Sequence, residues 1–126
     1  MRKISSIFLG LFASLSFAQQ PQLITEVDST QIKIGSQFNL TVKVTAPANT
    51  HIAFPDLKNI GQLEVLENYP TDTLLNDAQT AFIKKYALTQ FDSGTYAIPS
   101  FPILIGNKQV LTDSAKIIVN NVQVDT

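Results

Sequence analysis

The sequence predicts an all-β domain, a β-sandwich of about seven to nine short strands, and three observations predict it. From Phe38 to Val44 every second residue is apolar and those between are polar, which places the apolar side chains on one face of a strand. Turn-forming residues separate strand-like segments at intervals of about ten residues. No segment has the apolar period of an amphipathic helix.

Each predicted strand is a short run of apolar and β-branched residues that ends at glycine, proline, asparagine, aspartate or serine. In chain order the strand-like segments from which these strands are built are 23–30 with 32–34 extending it, 38–44, 51–54, 62–69, 81–91, 95–98, 101–105, 109–112, 116–119 and 122–124. The predicted turns are Gly35-Ser36, Asn76-Asp77 (a turn or a longer loop), Asp92-Ser93-Gly94, and a tight hairpin turn at Gly106-Asn107-Lys108.

Residues 1–18 are predicted to form a cleavable signal peptide. Arg2 and Lys3 precede an apolar stretch over 4–15, and Ser16 and Ala18 supply small residues at the two positions that signal peptidases read, so that Gln19 becomes the first residue after cleavage. A membrane anchor needs roughly twenty apolar residues, so a stretch of about a dozen favours a cleaved signal.

The chain is therefore expected to comprise a signal peptide, 1–18, and one β-sandwich domain, 19–126, that is long enough to bury a core. The absence of cysteine excludes a lipid-modified cysteine and a disulfide, so stability must come from the apolar core. We expect export to the periplasm, with the cell surface or extracellular space as the alternative. No second apolar stretch predicts a membrane span after the signal.

The charge of the chain argues against nucleic acid as a partner. The formal net charge is −1, and it becomes −3 once Arg2 and Lys3 are removed. Lys84-Lys85 is the one adjacent basic pair in 19–126, and on a strand these two side chains point to opposite faces. A basic patch is therefore not predicted.

The most specific motif is Asp92-Ser93-Gly94-Thr95-Tyr96, which has the Asp-x-Gly-x-Tyr form of the corner in immunoglobulin-like sandwiches. In that corner the tyrosine hydroxyl bonds to backbone a few residues upstream, and glycine can adopt positive φ at the turn. Ile98 stands where antibody domains have cysteine, so an apolar core is expected to replace the disulfide. Together with the strand spacing, the motif predicts that 19–126 is an immunoglobulin-like β-sandwich, and it gives no reason to assign Asp92 or Tyr96 to catalysis.

Catalytic, cofactor-binding and metal-binding residues are all predicted to be absent. His51 is the only histidine and no cysteine is available, so a transition-metal site lacks ligands. No Gly-x-Ser-x-Gly motif or phosphate-binding glycine loop occurs.

The carboxylates are also expected to be ordinary solvated side chains. Asp72, Asp77 and Asp92 could in principle share a calcium ion, but the spacing around Asp72 and Asp77 lacks the density of a calcium loop. Glu64 and Glu67 lie three apart, so a regular strand would point them to opposite faces and prevent a general acid–base pair.

Stretches along much of the chain resemble the N-terminal immunoglobulin-like domain of the Bat-type aerotolerance (oxygen tolerance, BatD-like) family, over roughly 23–124. The residues that carry this resemblance are Gly35-Ser36-Gln37-Phe38-Asn39-Leu40, Phe54-Pro55-Asp56-Leu57 with Gly61-Gln62-Leu63-Glu64-Val65-Leu66, the run from Asp92 to Phe101, and Ile105-Gly106-Asn107-Lys108 with Thr112-Asp113-Ser114.

The resemblance implies a periplasm-facing domain that binds or scaffolds another periplasmic or membrane-associated protein, and it carries over no catalytic residues. The chain departs from the family pattern at Glu67-Asn68-Tyr69-Pro70-Thr71, where the family often has Gly-Pro and a run of serine or threonine. The family has a C-terminal membrane anchor, and none is predicted within 19–126, so we expect either a domain that acts free in the periplasm or an anchor beyond Thr126.

Three functions remain as hypotheses. An interaction module would use a sheet edge or the predicted loops 46–50 and 70–79. A carbohydrate-binding or adhesin-like module would need a row of exposed aromatic side chains, to which Tyr69 could contribute, whereas Tyr86 is in phase with a core face. An enzyme would need an unfamiliar active site in which aspartate, glutamate and tyrosine side chains converge. The sequence predicts no such site, so we expect that the protein is not an enzyme.

Overall fold

The computed structural model describes residues 21–76 and 79–121, and the fold is all-β over these residues. The predicted signal peptide 1–18, the predicted strand 122–124 and Asp77 of a predicted turn lie outside the described residues. The strands are β1 (Gln22–Val27), β2 (Gln31–Lys33), β3 (Phe38–Pro47), β4 (Ile52–Ala53), β5 (Asn59–Ile60), β6 (Leu63–Asn68), β7 (Asp72–Asn76), β8 (Gln79–Thr89), β9 (Gly94–Ile98), β10 (Pro102–Ile105), β11 (Lys108–Leu111) and β12 (Ala115–Asn120). No helix in the described part of the chain has the length and apolarity to cross a membrane.

The first layer is an antiparallel sheet in the order β1-β3-β8-β6-β5, with β7 also paired to β8. β8 pairs with β3 on one side from Gln79 to Leu88, which is nearly its whole length. On its other side it pairs with β6 near one end and with β7 near the other. β6 and β7 therefore follow one strand path that is interrupted between them.

The second layer consists of two three-stranded ladders, β2-β12-β9 and β11-β10-β4. The two ladders meet at Phe101, which lies between β9 and β10, and at Thr112, which lies between β11 and β12. The Phe101 N–H donates to Thr112 Oγ1 at 3.0 Å, and the Thr112 N–H donates to the Phe101 carbonyl at 2.9 Å. One long hairpin therefore runs through both ladders. Its first arm consists of β9 and β10, its second arm consists of β11 and β12, and each arm is interrupted once.

These pairings reproduce the strand order of an immunoglobulin-like sandwich, in which strands A, B, E and D form one sheet and C, F and G the other. The number of strands exceeds the predicted seven to nine, because several sandwich strands are broken into two short ones. The predicted strand 23–30 is one example: β1 pairs with β3 in the first layer, whereas β2 pairs in parallel with β12 in the second.

The core lies between the layers, and the period-two pattern of β3 is its clearest sequence signal. Phe38, Leu40, Val42 and Val44 alternate with less buried residues and are each at most 2% exposed. Side chains of both layers contribute to the same buried cluster. Tyr86 of the first layer and Phe101 of the second meet edge-to-face, with ring centroids 5.8 Å apart. These observations confirm the predicted alternation and the apolar core.

The segment predicted as the loop 70–79 is instead largely strand, because β7 occupies Asp72–Asn76 and pairs with β8. The predicted loop 46–50 is also shorter than expected, since β3 continues to Pro47. The tight turn at Gly106 is confirmed: Ile105 pairs with Lys108, and Gly106 has φ of 62°.

Candidate interaction surface

The predicted tyrosine corner is present. The Tyr96 hydroxyl donates to the Asp92 carbonyl at 2.9 Å, and the Ser93 carbonyl lies 3.5 Å away. Gly94 has φ of 147°, which side chains rarely tolerate. Ile98 is 1% exposed and belongs to the core. The motif therefore fixes the start of β9, and its hydroxyl is occupied by a structural bond.

A second set of polar contacts holds the Phe-Pro segment that runs between β4 and β5. The Tyr86 hydroxyl donates to the Pro55 carbonyl at 2.7 Å. The Asn68 side chain accepts from the Leu57 N–H at 3.0 Å and donates to the Leu57 carbonyl at 2.9 Å. Because both backbone groups of Leu57 are satisfied, this non-strand segment is fixed against the first layer.

Lys84 and Lys85 point to opposite faces of β8, as predicted, and Lys84 faces the core side. The Lys84 ammonium donates to the Tyr69 carbonyl at 2.6 Å, and its nitrogen lies 3.5 Å from Asp56 Oδ1 and 5.7 Å from the centre of the Tyr86 ring. Burial, and to a lesser extent the charge of Asp56, raises the pKa of the Tyr86 phenol well above its ordinary value. The phenol therefore remains a hydrogen-bond donor to the backbone at higher pH than an ordinary tyrosine would.

The prediction that Glu64 and Glu67 face opposite sides is wrong. Glu64 lies opposite Thr89 and Glu67 opposite Ala87, two positions apart on β8, so both belong to the same side of the sheet. A β-bulge between Val65 and Glu67 adds one residue and reverses the alternation. Both glutamates are exposed, so solvent screens them.

The other candidate polar residues lie in separate places. Asp72 begins β7, Asp92 precedes β9, and exposed His51 precedes β4. Over residues 21–76 and 79–121, no three side chains of histidine, cysteine, aspartate or glutamate come together as metal ligands would.

Within residues 21–76 and 79–121, the aromatic side chains do not form an exposed row. Tyr86 is fully buried, Tyr69 and Tyr96 are half-buried, and Phe91 is 59% exposed. Tyr69 lies at the interruption between β6 and β7, beside a groove of about 310 Å³ lined by Asn39, Tyr69, Pro70, Asp72, Ile83 and Lys85. This arrangement gives a stacking platform for a sugar little support.

Among the described residues, the most exposed large apolar side chain, that of Leu75, lies on the edge strand β7. Leu74 is 57% exposed and Leu75 is 80% exposed, on opposite faces of the strand. Within the part of the chain that the structure describes, β7 pairs with β8 alone. The backbone N–H and C=O groups on its other edge are therefore available to hydrogen-bond with an added strand. The remaining exposed large apolar side chains are Ile24, Leu66, Phe91, Leu111 and Ile118.

Sequence reasoning missed β7 because the run is short and lacks alternation. Thr73, Leu74 and Leu75 favour a strand, but Pro70 before them and Asn76-Asp77 after them indicated a loop. Pairing with the long strand β8 decides the outcome, and this is a tertiary effect.

A family model, the BatD DUF11-like domain, matches residues 25–119. No curated protein and no solved structure matches the chain. The matched span runs from within β1 to within β12 and includes the tyrosine corner and the exposed edge. The chain thus belongs to the BatD DUF11-like domain family.

Proposed function

We propose that this chain is an exported, non-catalytic domain that binds or scaffolds another protein of the cell envelope, as part of an aerotolerance-type system. Membership of the BatD-like family supports this proposal. The partner is a periplasmic or membrane-associated protein, and the β-sandwich provides a rigid support for the binding surface.

The observation that carries the proposal is the exposed edge of β7. An extended segment of a partner can add to such an edge, with backbone hydrogen bonds for affinity and side-chain contacts for specificity. Leu74 and Leu75 lie on the two faces of the strand, so an added strand contacts one on each side. Exposed apolar side chains of this kind are typical of protein interaction sites.

Photo-crosslinking in living cells tests the proposal. A photoreactive amino acid replaces Leu75 in the exported chain, and adducts are identified by mass spectrometry. The matched control replaces Leu111, which is 63% exposed at the end of β11 in the second layer. We expect a discrete adduct from position 75 and none from position 111. Equal labelling at both positions, or no adduct at position 75, contradicts the proposal.

A further inference from the structure

We infer that β7 pairs with β7 of a second copy of this chain, antiparallel and with Leu74 opposite Leu74. The inference rests on the proposed function, because it takes the envelope protein that binds this edge to be a second, equally exported copy of the chain. It makes the domain a self-associating unit whose first layers join into one continuous sheet.

β7 lacks several of the features that usually protect a sheet edge. Its sequence, Asp72 to Asn76, contains no lysine and no proline, and its register with β8 has no bulge. The opposite edge of the layer, β1, differs in one respect. Its inward side chains, such as Leu23 and Val27, already pack against the core, whereas both leucines of β7 remain largely exposed.

The five residues of β7 are self-complementary in one register. A two-fold axis perpendicular to the sheet keeps the outer faces of both copies on the same side. Centring the axis on Leu74 pairs all five residues, with Thr73 opposite Leu75 and Asp72 opposite Asn76. Centring it on Thr73 or Leu75 leaves part of the strand unpaired.

The charges of β7 permit this register. Each copy contributes one carboxylate, Asp72, and the two carboxylates lie at opposite ends of the paired segment. Four residues of strand separate them by about 14 Å, which exceeds the Debye length of about 8–10 Å at ordinary salt. Their repulsion is therefore largely screened.

The apolar side chains favour the same register. On the outer face Leu74 meets its own counterpart, and each lies beside Ala81 of β8. On the inner face Leu75 lies beside Thr73 of the second copy. Within its own copy, that Thr73 is opposite the half-buried Phe82 of β8. Both leucines thus lose solvent contact, and this burial drives association.

Single cysteines provide the test, because the chain has none of its own. Directly opposed residues of an antiparallel pair have Cα atoms about 4.5–5.5 Å apart, within the range that a disulfide spans. We expect purified Leu74→Cys to form a disulfide-linked dimer under mild oxidation. The matched control is Ile24→Cys, which is on the outer face of the other edge strand and 45% exposed in the unsubstituted protein. The control should cross-link far more slowly.

Sedimentation equilibrium of the unsubstituted chain and of Leu75→Lys gives an independent readout. The lysine should weaken dimerisation by about tenfold or more, because a charge replaces a side chain buried on pairing. Thermal unfolding of each variant establishes that it is folded. Equal cross-linking of Leu74→Cys and Ile24→Cys, or a concentration-independent monomer, overturns self-pairing. An adduct at position 75 with a different protein, together with monomeric Leu74→Cys, overturns self-pairing while the proposed function stands.

Discussion

Lys84 and Tyr69 are joined by a hydrogen bond of 2.6 Å, from the ammonium group to a backbone carbonyl, although Lys84 is on the core side of β8. The Lys84 side chain is 7% exposed, whereas that of Asp56, 3.5 Å from its nitrogen, is 83% exposed. An exposed carboxylate is screened by water and contributes little. The Tyr69 carbonyl is therefore the contact that mainly offsets the desolvation of the ammonium.

Lys84→Ala should lower the free energy of unfolding by about 2–3 kcal/mol, because it removes this bond and leaves a cavity beside the Tyr86 ring. Asp56→Ala should cost less than about 1 kcal/mol. Lys85→Ala, on the outer face of the same strand, is the matched control and should be nearly neutral. Urea titration measures all three. Equal losses for Lys84→Ala and Asp56→Ala would show that the ion pair is the main contact.

Tyr86→Phe should lower the free energy of unfolding by about 1–2 kcal/mol at neutral pH, because the Pro55 carbonyl loses its donor while the ring is kept. The pKa of Tyr86 is raised in the folded state, so its contribution is fully present below the ordinary tyrosine pKa of about 10 and is lost as the pH rises above it. Above pH 10 the unfolded phenol releases its proton while the folded one keeps it.

The difference in stability between the unsubstituted chain and Tyr86→Phe should therefore shrink with a limiting slope of about 1.4 kcal/mol per pH unit above pH 10. Urea titrations from pH 8 to pH 11 measure it. A difference that stays constant over this range would contradict the raised pKa.

The parts of the fold that could be predicted are those set by local sequence. The alternation from Phe38 to Val44 determines which face of β3 is buried, because strand geometry alone fixes the side-chain directions. The opposite directions of Lys84 and Lys85 follow from the same rule. The corner at Tyr96 depends on residues only four apart.

The parts that could not be predicted depend on pairing between distant segments. The bulge before Glu67 exists only in relation to β8, and β7 is a strand because β8 is long enough to pair with it. The contact between Lys84 and the Tyr69 carbonyl likewise requires the interrupted path of β6 and β7. The exposed edge, the basis of the proposed binding surface, was therefore not visible in the sequence.

Gly61 and Gly106 form a matched pair for testing close packing. Both have left-handed backbones, with φ of 61° and 62°. A Cβ at Gly106 would meet no heavy atom within 4 Å, whereas one at Gly61 would lie 3.0 Å from Pro99 Cδ and 3.1 Å from the Ala97 carbonyl. Gly106→Ala should thus cost about 1–2 kcal/mol from backbone strain alone.

Gly61→Ala should cost more than Gly106→Ala, because Pro99 and the Ala97 backbone must move in addition. Thermal unfolding of both variants measures the difference. If the two alanine variants unfold at the same temperature, the contact between the β5–β6 turn and the end of β9 is loose enough to yield.

Tyr96→Phe should lower the free energy of unfolding by about 1 kcal/mol, because it removes the hydroxyl that donates to the Asp92 carbonyl but keeps the ring. Hydrogen exchange should also become faster at amides of β9, which begins at Gly94 directly after this corner. Unchanged stability together with unchanged exchange would show that the corner does not hold β9 in place.

Processing of the N-terminus is expected to leave Gln19 as the first residue when the chain is exported from a bacterial host. Signal peptidases read small residues at the two positions occupied by Ser16 and Ala18. Ala18→Arg should therefore prevent cleavage and leave the 126-residue precursor, whereas Ser16→Ala keeps a small residue and should be processed normally. Intact-mass measurement of the purified chains distinguishes these products. If the unsubstituted chain retained residues 1–18 after export, the predicted cleavage after Ala18 would be wrong, because an apolar stretch of about a dozen residues is too short to explain retention by spanning the bilayer.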